Sequence, residues 1–209
     1  PASSPWPAIF SLTVACFVMV TTEFLPIGLL TNIAPSLGVS TGTAGLMVTM
    51  PGIVAAVAAP VLSLASGRLD RRLLMLGLSL LLMVSNLVAA LAVNFPMMLL
   101  GRVLLGVCVG GFWSFAANYG RHLVPEASQG RATALILSGI SVGAVCGVPA
   151  GALIGDLFGW RAAFFGGAAL AVGVLLAQLR LLTSVPPSRP VTPRDLVLPL
   201  RLPMARIGL

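Results

Sequence analysis

Six apolar stretches, each long enough to cross a lipid bilayer, constrain this chain more than any other feature. They run over residues 8–30, 44–66, 73–93, 97–119, 132–155 and 162–182. A helix needs about 20 apolar residues to span the hydrocarbon core of a membrane. Inside that core the main chain finds no water, so a spanning segment must satisfy its own N–H and C=O groups as a helix. The second, third and fifth stretches carry no charge; the first carries Glu23, the fourth Arg102, and the sixth only Arg180 near its end. Composition removes the soluble alternative. The residues are 58% hydrophobic and 8% charged, against about 45–50% and about 25% in soluble domains. So little charge cannot clothe a surface in water. The expected fold is an all-α integral membrane bundle of six transmembrane helices over residues 1–182, with the lipid bilayer as its solvent. The first stretch has no basic region before it and is too long for a signal-peptide core, so it reads as a retained helix. The chain begins at Pro1 rather than Met, and a trimmed start is the expectation.

Charge then orients the bundle. All 12 basic residues are Arg. Arg68, Arg71 and Arg72 lie between the second and third stretches, Arg121 and Arg131 between the fourth and fifth, and Arg180, Arg189, Arg194, Arg201 and Arg206 at or beyond the end of the sixth. The opposite loops contribute Arg161 alone. Basic loops stay in the cytoplasm, which predicts a multi-pass protein of the cell (inner) membrane with both termini inside. The net charge of +7 does not point to nucleic acid, because the Arg residues stand singly or in short groups between apolar runs. Residues 183–209 hold Pro186, Pro187, Pro190, Pro193, Pro199 and Pro203 among the arginines, and read as a cytoplasmic linker. Its last stretch, 196–209, regains apolar residues as though a seventh helix were starting.

The same inventory argues against an enzyme. Cys16, Cys108 and Cys146 each sit inside an apolar run without metal or redox spacing, and read as small packing residues. His122 is the only histidine and falls in a loop, which leaves no Ser–His or zinc chemistry within the spans. No phosphate-cradling glycine loop is present. Neither a cofactor nor a metal is expected.

Three features inside the spans carry chemistry. On the fifth, Gly139, Gly143, Gly147, Gly151 and Gly155 recur every four residues and Pro149 interrupts the same helix. That spacing lines glycines along one face and admits another helix almost to backbone contact; Pro149 should kink the helix. Plain helix packing and a moving seam both fit the pattern. Glu23 lies roughly 10 Å below the outer end of its span at 1.5 Å per residue. A carboxyl there is either a proton carrier or a structural group bonded to a neighbour. Pro26 and Gly28 follow it and predict an irregular helix. Arg102 lies roughly 7 Å deep, and must snorkel, pair, or line a wet cavity. Its depth matches that of Glu23, so a contact between the two is expected in at least one conformational state. Asn86, Trp113 and Asn118 complete the candidate set for a polar pathway; the aromatic cluster around Trp113 equally suits lipid contact or core packing.

Five motifs give the chain a family likeness. Residues 23–30, Glu-Phe-Leu-Pro-Ile-Gly-Leu-Leu, form one and 67–72, Gly-Arg-Leu-Asp-Arg-Arg, the next. The others are Gly101-Arg102-Val103-Leu104-Leu105-Gly106 running on to Trp113, Gly143-x3-Gly147-Val148-Pro149-Ala150-Gly151, and 159–164, Gly-Trp-Arg-Ala-Ala-Phe. Together they resemble the amino-terminal half of a major facilitator superfamily transporter, and most closely its drug:proton antiporter group of sugar, purine-nucleoside and drug exporters. The loop motif is one residue short before Asp70 and lacks a second glycine, and Val148 separates Gly147 from Pro149 where the family commonly has Gly-Pro. The resemblance implies twelve spans working as two six-helix halves that rock around a central site. It further implies Glu23 as proton carrier, with Arg102 balancing its charge. Asn86, Trp113 and Asn118 would belong to the pathway, and Gly67, Asp70, Arg71 and Arg72 would form a conformational-switch loop. Gly143, Gly147, Pro149 and Gly151 would form an antiporter seam. Protons, a small organic substrate and a missing C-terminal six-helix half would be the partners, and the chain alone would not transport. A complete six-span channel or carrier acting as an oligomer is the rival reading, and a non-transporting structural membrane protein a weaker one.

Overall fold

The computed structural model describes residues 4–65 and 69–185. Among the described residues, six helices are long and apolar enough to cross a membrane: α1 (Trp6–Ser36), α2 (Thr41–Ala65), α3 (Arg71–Ala90), α4 (Phe95–His122), α5 (Glu126–Phe158) and α6 (Trp160–Leu181). Each matches one apolar stretch of the sequence. Their ends are set by local chemistry. Gly38 adopts φ 67° just beyond α1, a conformation that costs a residue without a Cβ nothing. Ser40, Asp70 and Asn94 cap the next three helices, accepting from the main-chain N–H of Thr43 at 3.1 Å, Arg72 at 2.8 Å and Met97 at 2.9 Å. Gly159, at φ 86°, turns the chain between α5 and α6 in a single residue.

The packing order follows from which faces are small. α1 lies against α5 and α6, α6 against α3, α3 against α4, and α4 against α5, closing a circuit; α2 stands outside it, held chiefly by α4. α1 and α4 are the most buried spans and α2 the least. Lipid is as apolar as leucine, so spans associate by close packing rather than by a hydrophobic drive. On α4, a Cβ at Gly106 would lie 2.8 Å from Pro51 O, and one at Gly110 would lie 2.9 Å from Ala59 N, so the α2 backbone fits directly against α4.

The glycines of α5 do the same against α1. Gly139 faces the Thr13 carbonyl, Gly143 that of Phe17, Gly147 the side chain of Thr21, Gly151 that of Leu25 and Gly155 that of Leu29. Both sets repeat every four residues, so two ridges run in register along the seam. Within α5 the backbone widens to a π-helical turn at Gly143–Gly147, which ends two residues before Pro149. Such turns mark places where the regular ladder gives way.

The stretch of α1 around Pro26 and Gly28, expected to be irregular, stays within the helix. α1 continues unbroken through Pro26 and Gly28 to Ser36. Pro26 is buried within it, and Gly28 leaves room for Ala152 of α5, whose Cβ would sit 2.8 Å from a Cβ at that position.

The seam makes a prediction. Gly139→Ala and Gly143→Ala push a methyl into main-chain oxygen and should each cost about 1–3 kcal/mol. Gly130→Ala and Gly173→Ala, where nothing lies within 4 Å of an added Cβ, should be neutral or gain up to about 1 kcal/mol from helix propensity. Equilibrium unfolding in detergent micelles distinguishes the two pairs; equal effects at all four sites would contradict the seam.

Candidate functional site

A buried polar cluster toward the start of α4 is organised by Arg102, which is 1% exposed. Its guanidinium makes no outward excursion to headgroups. Nε donates to Met47 O at 2.7 Å, Nη1 to Thr22 O at 2.9 Å and Nη2 to Glu23 O at 2.6 Å. Glu23 and Arg102 therefore meet as expected: the hydrogen bond ends on the main-chain carbonyl of Glu23, and its carboxylate interacts with the guanidinium through charge. The Glu23 side chain is half-buried beside the exposed Phe24.

Asn86 belongs to the same cluster. It is completely buried on α3, where its amide donates to Leu82 O at 3.0 Å and exchanges hydrogen bonds of 3.2 and 3.3 Å with the Thr22 hydroxyl. α6 passes this point with Gly167, where a Cβ would come within 2.5 Å of Asn86 Oδ1. Thr22, Glu23, Asn86 and Arg102 thus form one polar knot tying α1, α2, α3 and α4. Thr22 and the Met47 carbonyl were not legible as members from the sequence.

Trp113 and Asn118 lie elsewhere. Eleven residues separate Trp113 from Arg102 along α4, roughly 16 Å at 1.5 Å per residue. Both Trp113 and Asn118 are exposed, and with Arg121, Gln129 and Thr133 they line a cavity of about 840 Å³ between α4 and α5. Arg121 donates to Gln129 Oε1 across it, at 3.2 Å from Nη2. Gly147 and Gly151, besides facing α1, border a second cavity of about 440 Å³ with Thr21, Leu25 and Gly166. Pro149 is exposed on α5. Among the described residues, no group of three or more His, Cys, Asp or Glu side chains is placed to hold a metal ion.

At the end of α3, Asp70, Arg71 and Arg72 form a clamp; Gly67 lies outside the described residues. Besides capping α3, the Asp70 carboxylate accepts from the Ser184 hydroxyl and from the Val185 N–H at 3.2 Å. Arg71 N donates to Val185 O at 3.3 Å, and its guanidinium sits 5.4 Å from the centre of the Phe115 ring. Arg72 Nη2 donates to Leu179 O at 2.7 Å, and Tyr119 Oη to Thr183 O at 2.6 Å. The first residues beyond α6, expected as the start of a linker, are therefore fastened to α3 and α4. The rest of that stretch, 186–209, lies outside the described residues. The Ser184 hydroxyl, then the Arg72 N–H, hold the Asp70 carboxyl below the usual carboxylate range.

The chain is thus a membrane-spanning six-helix unit with a buried charged knot and a clamp at one end. The sequence profile of the Major Facilitator Superfamily matches residues 12–206, and the chain belongs to that superfamily. It is 37% identical over 183 residues to the purine ribonucleoside efflux pump NepI of Escherichia coli, covering 87% of this chain and 46% of the pump. It is 40% identical over 162 residues to the transcription regulatory protein OpdE of Pseudomonas aeruginosa, covering 78% of this chain and 40% of that protein. The chain therefore spans less than half the length of these relatives. Among solved structures, it superposes on a peptide transporter POT in complex with sulfate (TM-score 0.74, 13% identity, 98% of this chain and 44% of the other). It also superposes on the human organic anion transporter MFSD10 (TM-score 0.69, 21% identity, 98% and 55%). These last two likenesses concern the fold alone.

The clamp carries a pH prediction. A depressed folded pKa means that the ionised carboxylate is favoured by folding, so its contribution is complete above the unfolded value of about 3.9. It fades as pH falls through the lower folded value. The thermal-stability gap between wild type and Asp70→Ala should thus be constant at neutral pH and close on acidification below about pH 4. A gap that does not vary with pH would contradict the clamp.

Proposed function

We propose that the chain is one six-helix half of a proton-coupled efflux transporter that moves small organic molecules by alternating access. A half-buried carboxylate, Glu23, set beside a fully buried arginine within the membrane supports this reading more than any other observation. A charge in that position is expensive and is kept where it serves a pathway. The sequence likeness to a protein named as an efflux pump supports the direction of transport. In this scheme Glu23 takes up and releases the proton, while Arg102 and Asn86 hold the turn of α1 that carries it. Trp113 and Asn118 offer a ring face and an amide to substrate in the α4–α5 cavity. Gly143, Gly147, Pro149 and Gly151 form the seam on which α5 moves against α1, and Asp70, Arg71 and Arg72 latch one conformation.

The unit sits in the inner membrane with both termini cytoplasmic, an orientation supported by the Arg distribution. The segment 183–209 leads toward a second six-helix half, and without that half the unit does not transport.

The test is Glu23→Gln in the full-length protein, assayed in inverted vesicles with an imposed proton gradient. Gradient-driven substrate movement should fall on the order of a hundredfold, the scale of a positioned proton-transfer group, while substrate binding survives. Unchanged dependence on the gradient would remove Glu23 from the coupling role.

A further inference from the structure

Beyond the first turn, five prolines lie inside the described helices: Pro26 and Pro35 in α1, Pro51 and Pro60 in α2, and Pro149 in α5. In an α-helix the N–H of each residue bonds the carbonyl four residues earlier. Proline has no N–H, so each one strips a donor from a specific carbonyl. For Pro26 that carbonyl belongs to Thr22, and for Pro51 to Met47. Pro35, Pro60 and Pro149 are exposed, whereas Pro26 and Pro51 are buried inside the bundle. A stripped carbonyl in the apolar interior has neither water nor a spare donor.

Two of the three hydrogen bonds made by Arg102 end on these two carbonyls, at 2.9 Å on Thr22 O and 2.7 Å on Met47 O. The third, at 2.6 Å, ends on Glu23 O, the next carbonyl along the same turn. One turn further along α4, Gly106 lies so close to α2 that a Cβ there would stand 2.8 Å from Pro51 O, which brings the guanidinium within reach of the opened turn. The chemistry matches. A guanidinium has five donors in a planar fork and no acceptor, and it keeps its charge. Carbonyl dipoles on two opened turns supply the partial negative charge that a buried cation needs.

We infer that Arg102 is a positioning residue that replaces the backbone donors removed by Pro26 and Pro51, and so braces α1 and α2 onto α4 at their two buried proline turns. The brace goes beyond the proposed transport function and does not depend on whether Glu23 carries a proton.

The test restores the missing donors. Arg102→Ala, measured in the full chain in lipid nanodiscs, should lower the folding equilibrium constant about a hundredfold (about 2.7 kcal/mol). Adding Pro26→Ala and Pro51→Ala supplies main-chain N–H groups to Thr22 O and Met47 O, and should recover at least tenfold (about 1.4 kcal/mol). Arg102→Lys keeps a positive charge but cannot reach three carbonyls at once, so it should fall with Arg102→Ala and be rescued by the same two proline replacements. If Arg102→Ala does not fold, the lysine variant carries the comparison. If the proline and arginine effects simply add, or if lysine alone restores stability, Arg102 acts as a charge and not as a brace.

Discussion

A guanidinium buried among membrane helices has no water to bond, so the protein must supply acceptors for it. In this bundle the acceptors are main-chain carbonyls of α1 and α2. That choice has consequences beyond the local bonds. A carboxylate partner would bind Arg102 through a flexible side chain, whereas carbonyls bind it through the helix axes themselves. The positions of α1 and α2 against α4 are therefore set by hydrogen bonds as well as by packing. The hydrogen bonds of Arg102 to this turn of α1 end on the Thr22 and Glu23 carbonyls, while the Glu23 carboxyl stays close enough to feel its charge.

The seam between α1 and α5 is held chiefly by shape. α1 and α5 meet along five glycines without a hydrogen-bonded anchor as strong as Arg102; among the described residues the side-chain links across it are Thr13 Oγ1 to Leu135 O at 3.1 Å, Thr21 Oγ1 to Gly143 O at 3.5 Å and Asn32 Nδ2 to Asp156 Oδ1 at 2.9 Å. The π-helical turn at Gly143–Gly147 places the irregularity of α5 in the middle of that contact. The structure thus divides into a braced part, α1, α2, α3 and α4 around the polar knot, and a seam along which α5 meets α1.

The six spans were legible because length and hydropathy act directly on membrane insertion, and each of the six apolar stretches became one helix. Their ends were less so. α1 reaches Ser36 and α5 starts at Glu126, since a helix continues into polar sequence wherever caps permit and hydropathy marks only the part in lipid. The nearness of Glu23 and Arg102 could be read from matching depth, but not the acceptors, because a sequence names side chains and leaves main-chain carbonyls anonymous. Pro26 and Pro51 were the available signal: each marks a carbonyl in need of a donor four residues earlier. Asn86, Trp113 and Asn118 looked alike as polar or amphipathic residues in apolar spans. A helix apolar all round has no hydrophobic stripe from which to tell its faces, so only the fold separates the buried Asn86 from the exposed pair. The fastening of Thr183, Ser184 and Val185 was hidden for another reason, since a proline-rich neighbourhood reads as linker although its first residues are bonded to α3 and α4.

The central claim is that this unit works as one half of a two-part transporter. It is tested most directly by reconstituting the chain into proteoliposomes alone and together with a co-expressed second six-helix half, and by following substrate movement under a proton gradient. The account predicts gradient-driven flux only when both halves are present. Equal flux from the chain alone would contradict it, and would instead favour a six-span protein that functions as an oligomer of identical chains.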